Sequence, residues 1–144
     1  MSKKQLNSHQ GSTCFDPKEL GEKLERACPE AIFCLLMGSA VGGIVKEGSD
    51  LDLAFYLEGA PTLNFYSRVS KVVDELAPGV RCDTGILNRT EPVFRFEALK
   101  GQLLFVRNEE QYARFFSLSC REYESQMFDY ERQRKYRLEA RRAI

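Results

Sequence analysis

The sequence predicts an α/β fold, a short mixed β-sheet with helices packed mainly on one face and a long helical segment at the C-terminal end. Three observations predict it. Two largely apolar runs, Ala31–Met37 and Leu51–Leu57, have the length of buried strands. Segments with apolar residues at helical spacing alternate with them, and the stretch from about Glu109 to Arg142 reads as one long helix, or as two joined near Ser117 to Cys120.

The elements follow in order. Residues 1–13 are polar and are expected to form a flexible leader, with residues 14–144 making a single domain. Asp16-Pro17-Lys18-Glu19 is a helix start, with an N-cap aspartate, proline at the first helical position and glutamate three residues after the cap, so a helix is expected to about Ala27. Pro29 and the Gly38-Ser39 turn bound the first strand. A glycine-rich loop leads to the second strand, where alternation turns Leu51 and Leu53 into the core and leaves Asp50 and Asp52 on the other face. Pro61 opens a second helix through Leu76, with Leu63, Tyr66, Val69, Val72, Val73 and Leu76 as its core stripe. Pro78-Gly79 breaks it before a strand that carries Asp83. A third helix is expected over about Pro92 to Lys100, ended by Gly101 and followed by the apolar Leu103-Leu104-Phe105.

Composition narrows the function classes. A chain of 144 residues with 43% hydrophobic and 29% charged residues has the make-up of one soluble globular domain. Its net charge of zero gives no general attraction to nucleic acid, so direct nucleic-acid binding is not favoured. Cys14, Cys28, Cys34, Cys82 and Cys120 are odd in number and scattered, which argues against a disulfide framework and against zinc. Met1-Ser2-Lys3-Lys4 opens no signal peptide and no segment reaches membrane-spanning length, so a cytoplasmic location without membrane contact is expected. His9, the only histidine, falls in the leader, which leaves carboxylates to carry any proton chemistry.

The chemistry concentrates at Gly38-Ser39 and Asp50-Leu51-Asp52. Two like charges at adjacent same-face positions raise the cost of ionising each other unless a cation lies between them. Magnesium takes one or two carboxylates and completes its shell with water and substrate phosphates. Gly38 has no Cβ and Ser39 offers a hydroxyl, which suits a turn that approaches phosphate oxygens. An isolated Asp-x-Asp or Gly-Ser turn would say little. Their joint occurrence with a strand on each side says more.

With Gly38, Ser39, Ser49, Asp50, Asp52 and Leu53 in place, and ten residues between Ser39 and Asp50, the chain resembles the nucleotidyltransferase superfamily that includes DNA polymerase beta. Within it the chain is similar to the minimal nucleotidyltransferase (MNT) family of small prokaryotic proteins. Val80 to Asn88 resembles the family's third-aspartate segment, and Gly101 to Phe105 its later strand. The resemblance implies the minimal nucleotidyltransferase fold, ATP as substrate and two magnesium ions. It assigns Asp50, Asp52 and Asp83 to catalysis and metal ligation, and Gly38, Ser39 and Ser49 to the nucleotide. It also implies an antitoxin that transfers AMP to a tyrosine of a partner HEPN-family ribonuclease toxin.

The chain departs from the pattern at the turn, where the family's arginine is replaced by Gly42 and its acidic residue by Ile44, and again where a second downstream aspartate is replaced by Ile86. These losses leave open a degenerate antitoxin that acts by occlusion, while a small-molecule, antibiotic-type transferase would need an acceptor-binding domain that is not visible. The final segment carries Tyr112, Phe115, Phe116, Tyr123, Met127, Phe128, Tyr130 and Tyr136, then a cluster of arginines. It reads as aromatics packed on the sheet with the cations in solvent, as a partner surface, or as a basic RNA-contacting face.

Overall fold

The computed structural model describes residues 11–142; His9 and the rest of the leader through residue 10 lie outside them. The chain runs β1 (Thr13–Cys14), α1 (Pro17–Ala27), β2 (Ala31–Met37), β3 (Ile44–Val45), β4 (Leu51–Leu57), α2 (Leu63–Leu76), β5 (Cys82–Ile86), α3 (Pro92–Leu99), β6 (Gln102–Val106) and α4 (Glu109–Arg142).

Helix α1 begins as its sequence dictates, with Asp16 extended and its carboxylate accepting the Lys18 amide at 3.0 Å while Pro17 takes the first turn. Its buried face is Leu20, Gly21 and Leu24. Gly21 is small for a reason: a Cβ there would stand 2.5 Å from the Leu104 carbonyl oxygen, so its absence lets the helix lie directly on β6.

The main sheet has the order β5-β4-β2-β6. Strand β2 pairs antiparallel with both β4 and β6, and β4 pairs parallel with β5, the connection that needs helix α2 as its crossover. Alternation sends Cys34, Leu36, Leu53 and Phe55 to one face, where they pack with Leu20, Leu24, Phe65, Val69 and Val73 of α1 and α2. This is the heavier layer. Phe33, Leu35 and Ala54 face the other way and pack with Leu87, Ala98 of α3 and Phe115 of α4 in a lighter second layer. Phe33 anchors it, stacked on Tyr56 at 5.3 Å and edge-on to Tyr112 at 4.8 Å.

Some expectations need correction. Leu63 is 87% exposed because, at about 3.6 residues per turn, it stands on the far side of α2 from the buried face made by Phe65, Val69, Val72 and Val73. Helix α4 is continuous over 34 residues, with no break near Ser117. A small ribbon was not expected: Thr13 pairs with Val45 and Cys14 with Ile44, which draws the end of the presumed leader into the fold. All five cysteines are free, and no helix among the described residues is long and apolar enough to cross a membrane.

Candidate active site

The site forms where β2 ends and β4 and β5 begin. Met37, the last residue of β2, pairs with Asp52 of β4, and Asp52 pairs on its other side with Asp83 of β5. Parallel neighbours in register present their side chains on the same face, so two carboxylates that are far apart in sequence stand side by side. The Leu51 amide donates to the Arg81 carbonyl at 2.8 Å and holds that register at the mouth of the site.

After Met37 the chain turns through Gly38 at φ +71, followed by a single 3-10 turn over Gly38–Ala40. A side chain at Gly38 would meet Asp52: a Cβ would lie 2.9 Å from its Oδ2. Glycine is therefore needed twice over, for the left-handed backbone and for the space in which Asp52 sits.

Asp52 is partly buried, and its carboxyl is held above the ordinary aspartate range, first by desolvation and then by the charges of Asp83 and Asp50. The three expected carboxylates thus share one electrostatic neighbourhood. Among the described residues, however, no group of three or more His, Cys, Asp or Glu side chains is gathered closely enough to hold an ion. Carboxylates near enough to repel one another, at an edge open to solvent, fit a cation that takes one or two protein oxygens and draws the rest of its shell from phosphate and water. They do not fit a closed, all-protein cage.

Of the other expected residues, Gly38 and Ser39 are exposed at the turn, while Ser49 is partly buried with its amide donating to the Lys46 carbonyl at 2.9 Å. The loop between carries no guanidinium. Gly42 has open space around it and Ile44 is 53% exposed, so the places where a charged pair would sit are present but empty of charge.

Two residues escaped the sequence reading. Gln102 of β6 reaches the turn, its Oε1 accepting the Gly42 amide at 3.4 Å. Phe94 of α3 walls a cavity of 340 Å³ whose lining includes Met37, Gly38, Asp52, Asp83 and Gly85. Neither has a local signal, because each arrives from an element that is remote in sequence. Larger hollows of 470 Å³ on the outer face of α4 and 390 Å³ between α2 and β5 hold no pair of carboxylates, and chemistry rather than size selects the smaller one.

Residues 18–110 match the family described as Polymerase beta, Nucleotidyltransferase. No curated protein matches the chain. Among solved structures, a mutant of the toxin–antitoxin MntA–HpeT is similar with a TM-score of 0.64 at 16% identity, over 84% of this chain and 95% of that one. A toxin–antitoxin with AMP-PNP gives 0.63 at 17%, over 84% and 95%. A chain of the Shewanella oneidensis tri-AMPylated HEPN toxin in complex with MNT antitoxin gives 0.59 at 17%, over 92% and 95%. At such identities the likeness establishes the fold.

Proposed function

The chain belongs to the polymerase beta nucleotidyltransferase family, and from that membership we propose that it is a metal-dependent antitoxin that transfers AMP from ATP to a tyrosine of a HEPN-family ribonuclease toxin in the cytoplasm. The direct pairing of Asp52 with Asp83 beside the Gly38 turn supports this most strongly. The neighbouring structures support the partner and the donor, since one is a tri-AMPylated HEPN toxin with its MNT antitoxin and another contains AMP-PNP.

In this reading residues 14–144 form the transferase domain and residues 1–13 precede it, with Thr13 at the end of that segment paired to Val45 of the domain. Gly38, Ser39 and Ser49 bind the nucleotide, with Gly38 and Ser39 receiving the outer phosphates of ATP. Asp50, Asp52 and Asp83 would hold two magnesium ions, which would neutralise the triphosphate and polarise its α-phosphorus. Asp83, on the edge strand, takes the proton of the attacking hydroxyl. The hydroxyl oxygen bonds to the α-phosphorus as the bond to the β-phosphate oxygen breaks, and pyrophosphate leaves with that electron pair. The added phosphate places bulk and negative charge on the toxin.

The uncharged turn favours a second reading, in which the fold has lost transfer and neutralises its partner by covering it. One experiment separates the two. Purified protein, magnesium, α-labelled ATP and a HEPN toxin are combined, and the toxin is weighed by mass spectrometry. Transfer requires AMP on the toxin with wild type and none with Asp50→Asn/Asp52→Asn. Label that survives the double substitution overturns the catalytic assignment, and a tight complex without label in wild type selects occlusion.

A further inference from the structure

The cavity beside Asp83 has a wall that holding phosphate and metal leaves without a task. Phe94 is 38% exposed, and among the described residues it stacks on no other ring, whereas Phe96 on the same helix stacks on Tyr123 at 3.9 Å. Phe94 descends onto the one position of β5 that has no side chain. A Cβ on Gly85 would stand 3.1 Å from its Cζ. Gly85 lies two residues beyond Asp83 on the same face of the strand, about 6–7 Å away.

The side of the site on which this wall stands is decisive. An in-line displacement sets the leaving pyrophosphate and the attacking oxygen on opposite sides of the phosphorus. The Gly38 turn follows β2, Asp52 lies on the next strand, and Asp83 lies on the edge strand beyond it. With the outer phosphates at the turn, attack comes from the edge, where Phe94 and Gly85 are.

We propose that Phe94 and the bare strand at Gly85 form an acceptor shelf that selects a phenolic hydroxyl over an aliphatic one. The acceptor ring packs against Phe94, offset or edge-on at about 4.5–7 Å between centroids, and its hydroxyl reaches Asp83. The distance from Gly85 to Asp83 is comparable to the length of a phenol side chain. A serine or threonine hydroxyl would leave the ring face uncovered and would lack the reach. The inference rests on the nucleotidyltransferase reading and deepens it: the phenolic oxygen bonds to the α-phosphorus, its proton passes to Asp83, and pyrophosphate departs.

The test has two arms, and the first needs no catalysis. Isotope-labelled protein is titrated with p-cresol and separately with n-butanol while amide resonances are followed. The shelf requires shifts at Asp83, Gly85 and Phe94 with p-cresol alone, lost in Phe94→Ala and retained in Phe94→Tyr. Absence of those shifts, or their persistence in Phe94→Ala, overturns the proposal. In the second arm, matched acceptors with tyrosine or serine are compared with ATP as donor. Phe94→Ala is expected to raise KM for the tyrosine acceptor about tenfold and to leave the Kd for magnesium-ATP unchanged, with Phe94→Leu intermediate. An equal loss of ATP binding would make the ring a nucleobase platform instead and would overturn the shelf, as would an unchanged preference between tyrosine and serine. If p-cresol binds as described and no acceptor is ever labelled, the shelf stands and the transferase reading fails.

Discussion

Asp52 occupies a position that disfavours its own charge. Partial burial and the neighbouring Asp83 and Asp50 raise its pKa, so in the metal-free protein the carboxylate costs stability at neutral pH. The sign follows from linkage: the folded state binds the proton more tightly than the unfolded state, so this cost is relieved as the pH falls through the raised value toward the ordinary one. Asp52→Asn is therefore expected to raise the metal-free Tm by about 1–3 °C, the scale on which up to about 1 kcal/mol moves a domain of this size, while abolishing transfer. Added magnesium should raise the melting temperature of wild type and leave that of the variant unchanged. Melting curves with and without magnesium check both, and a variant that melts lower than wild type in chelator would show that Asp52 is not strained by its neighbours. Gly38 carries the complementary constraint. Gly38→Ala forces an L side chain to φ +71 and brings its Cβ to 2.9 Å from the Asp52 carboxylate. The backbone alone should cost about 1–2 kcal/mol, read by urea denaturation, and transfer should fall more steeply than stability because the displaced group is Asp52 itself.

Helix α1 ends against two arginines that are distant in sequence, and this clamp joins the heavier layer to the sheet. Arg68 of α2 donates to the Ala27 carbonyl at 2.6 Å and forms a two-pronged pair with Glu30 at 2.9 and 2.6 Å. Arg107, just after β6, donates to the Cys28 carbonyl at 3.0 Å and the Ala31 carbonyl at 2.8 Å. Carbonyls left over at a helix C-terminus need such donors. The hydrogen bonds from Arg68 are the main reason Glu30 is held below the ordinary glutamate range. Its contribution is thus present above the unfolded-state pKa and is lost as the pH falls through the lower, folded value. Glu30→Gln is expected to cost about 1 kcal/mol near neutrality, discounted for the part of the pair that water reaches. Arg68→Ala, which also uncaps α1, should cost about 2 kcal/mol. Denaturant midpoints at pH 7 and near pH 3 test this, and a Glu30→Gln deficit that does not shrink in acid would refute the role given to the charge. The sequence announced α1 through Asp16-Pro17 and β2 and β4 through their apolar runs, interrupted in β4 by Asp52, because those signals are local. It was silent on the ribbon of Thr13–Cys14 with Ile44–Val45, since two-residue strands have no periodicity to read. Asp83 had a motif to suggest it, but its place beside Asp52 depends on parallel pairing across a helix, and Phe94 and Gln102 had only that long-range assembly to bring them to the site.

Across the whole molecule, α4 is two different objects on one continuous helix. Its first turns belong to the fold: Phe115 and Ser119 are buried, and Tyr112 and Phe115 pack on Phe33. Beyond Met127 every described residue is exposed, Phe128, Tyr130 and Tyr136 among them. Composition hid this division because aromatic residues continue past the point where packing stops. The exposed stretch 128–142 carries six basic residues against three acidic ones in a chain whose net charge is zero, so the body carries the opposite excess. A helix of this length without a packed face is marginal in water, and its helicity is sustained by continuation from the anchored half. Amides of residues 112–119 should therefore exchange hydrogen only through opening of the whole domain, and those past Phe128 through local fraying. Ending the chain after Met127 should change Tm by less than about 2 °C, because it removes no buried residue and shifts of this size correspond to less than about 1 kcal/mol. Phe115→Ala empties the centre of the lighter layer and should cost about 3–5 kcal/mol. Exchange rates along α4, measured with the two melting experiments, give the deciding comparison. If residues 128–142 are as protected as Phe115, or if the shortened chain melts as low as Phe115→Ala, the outer half of the helix is packed in solution and the boundary at Met127 is wrong.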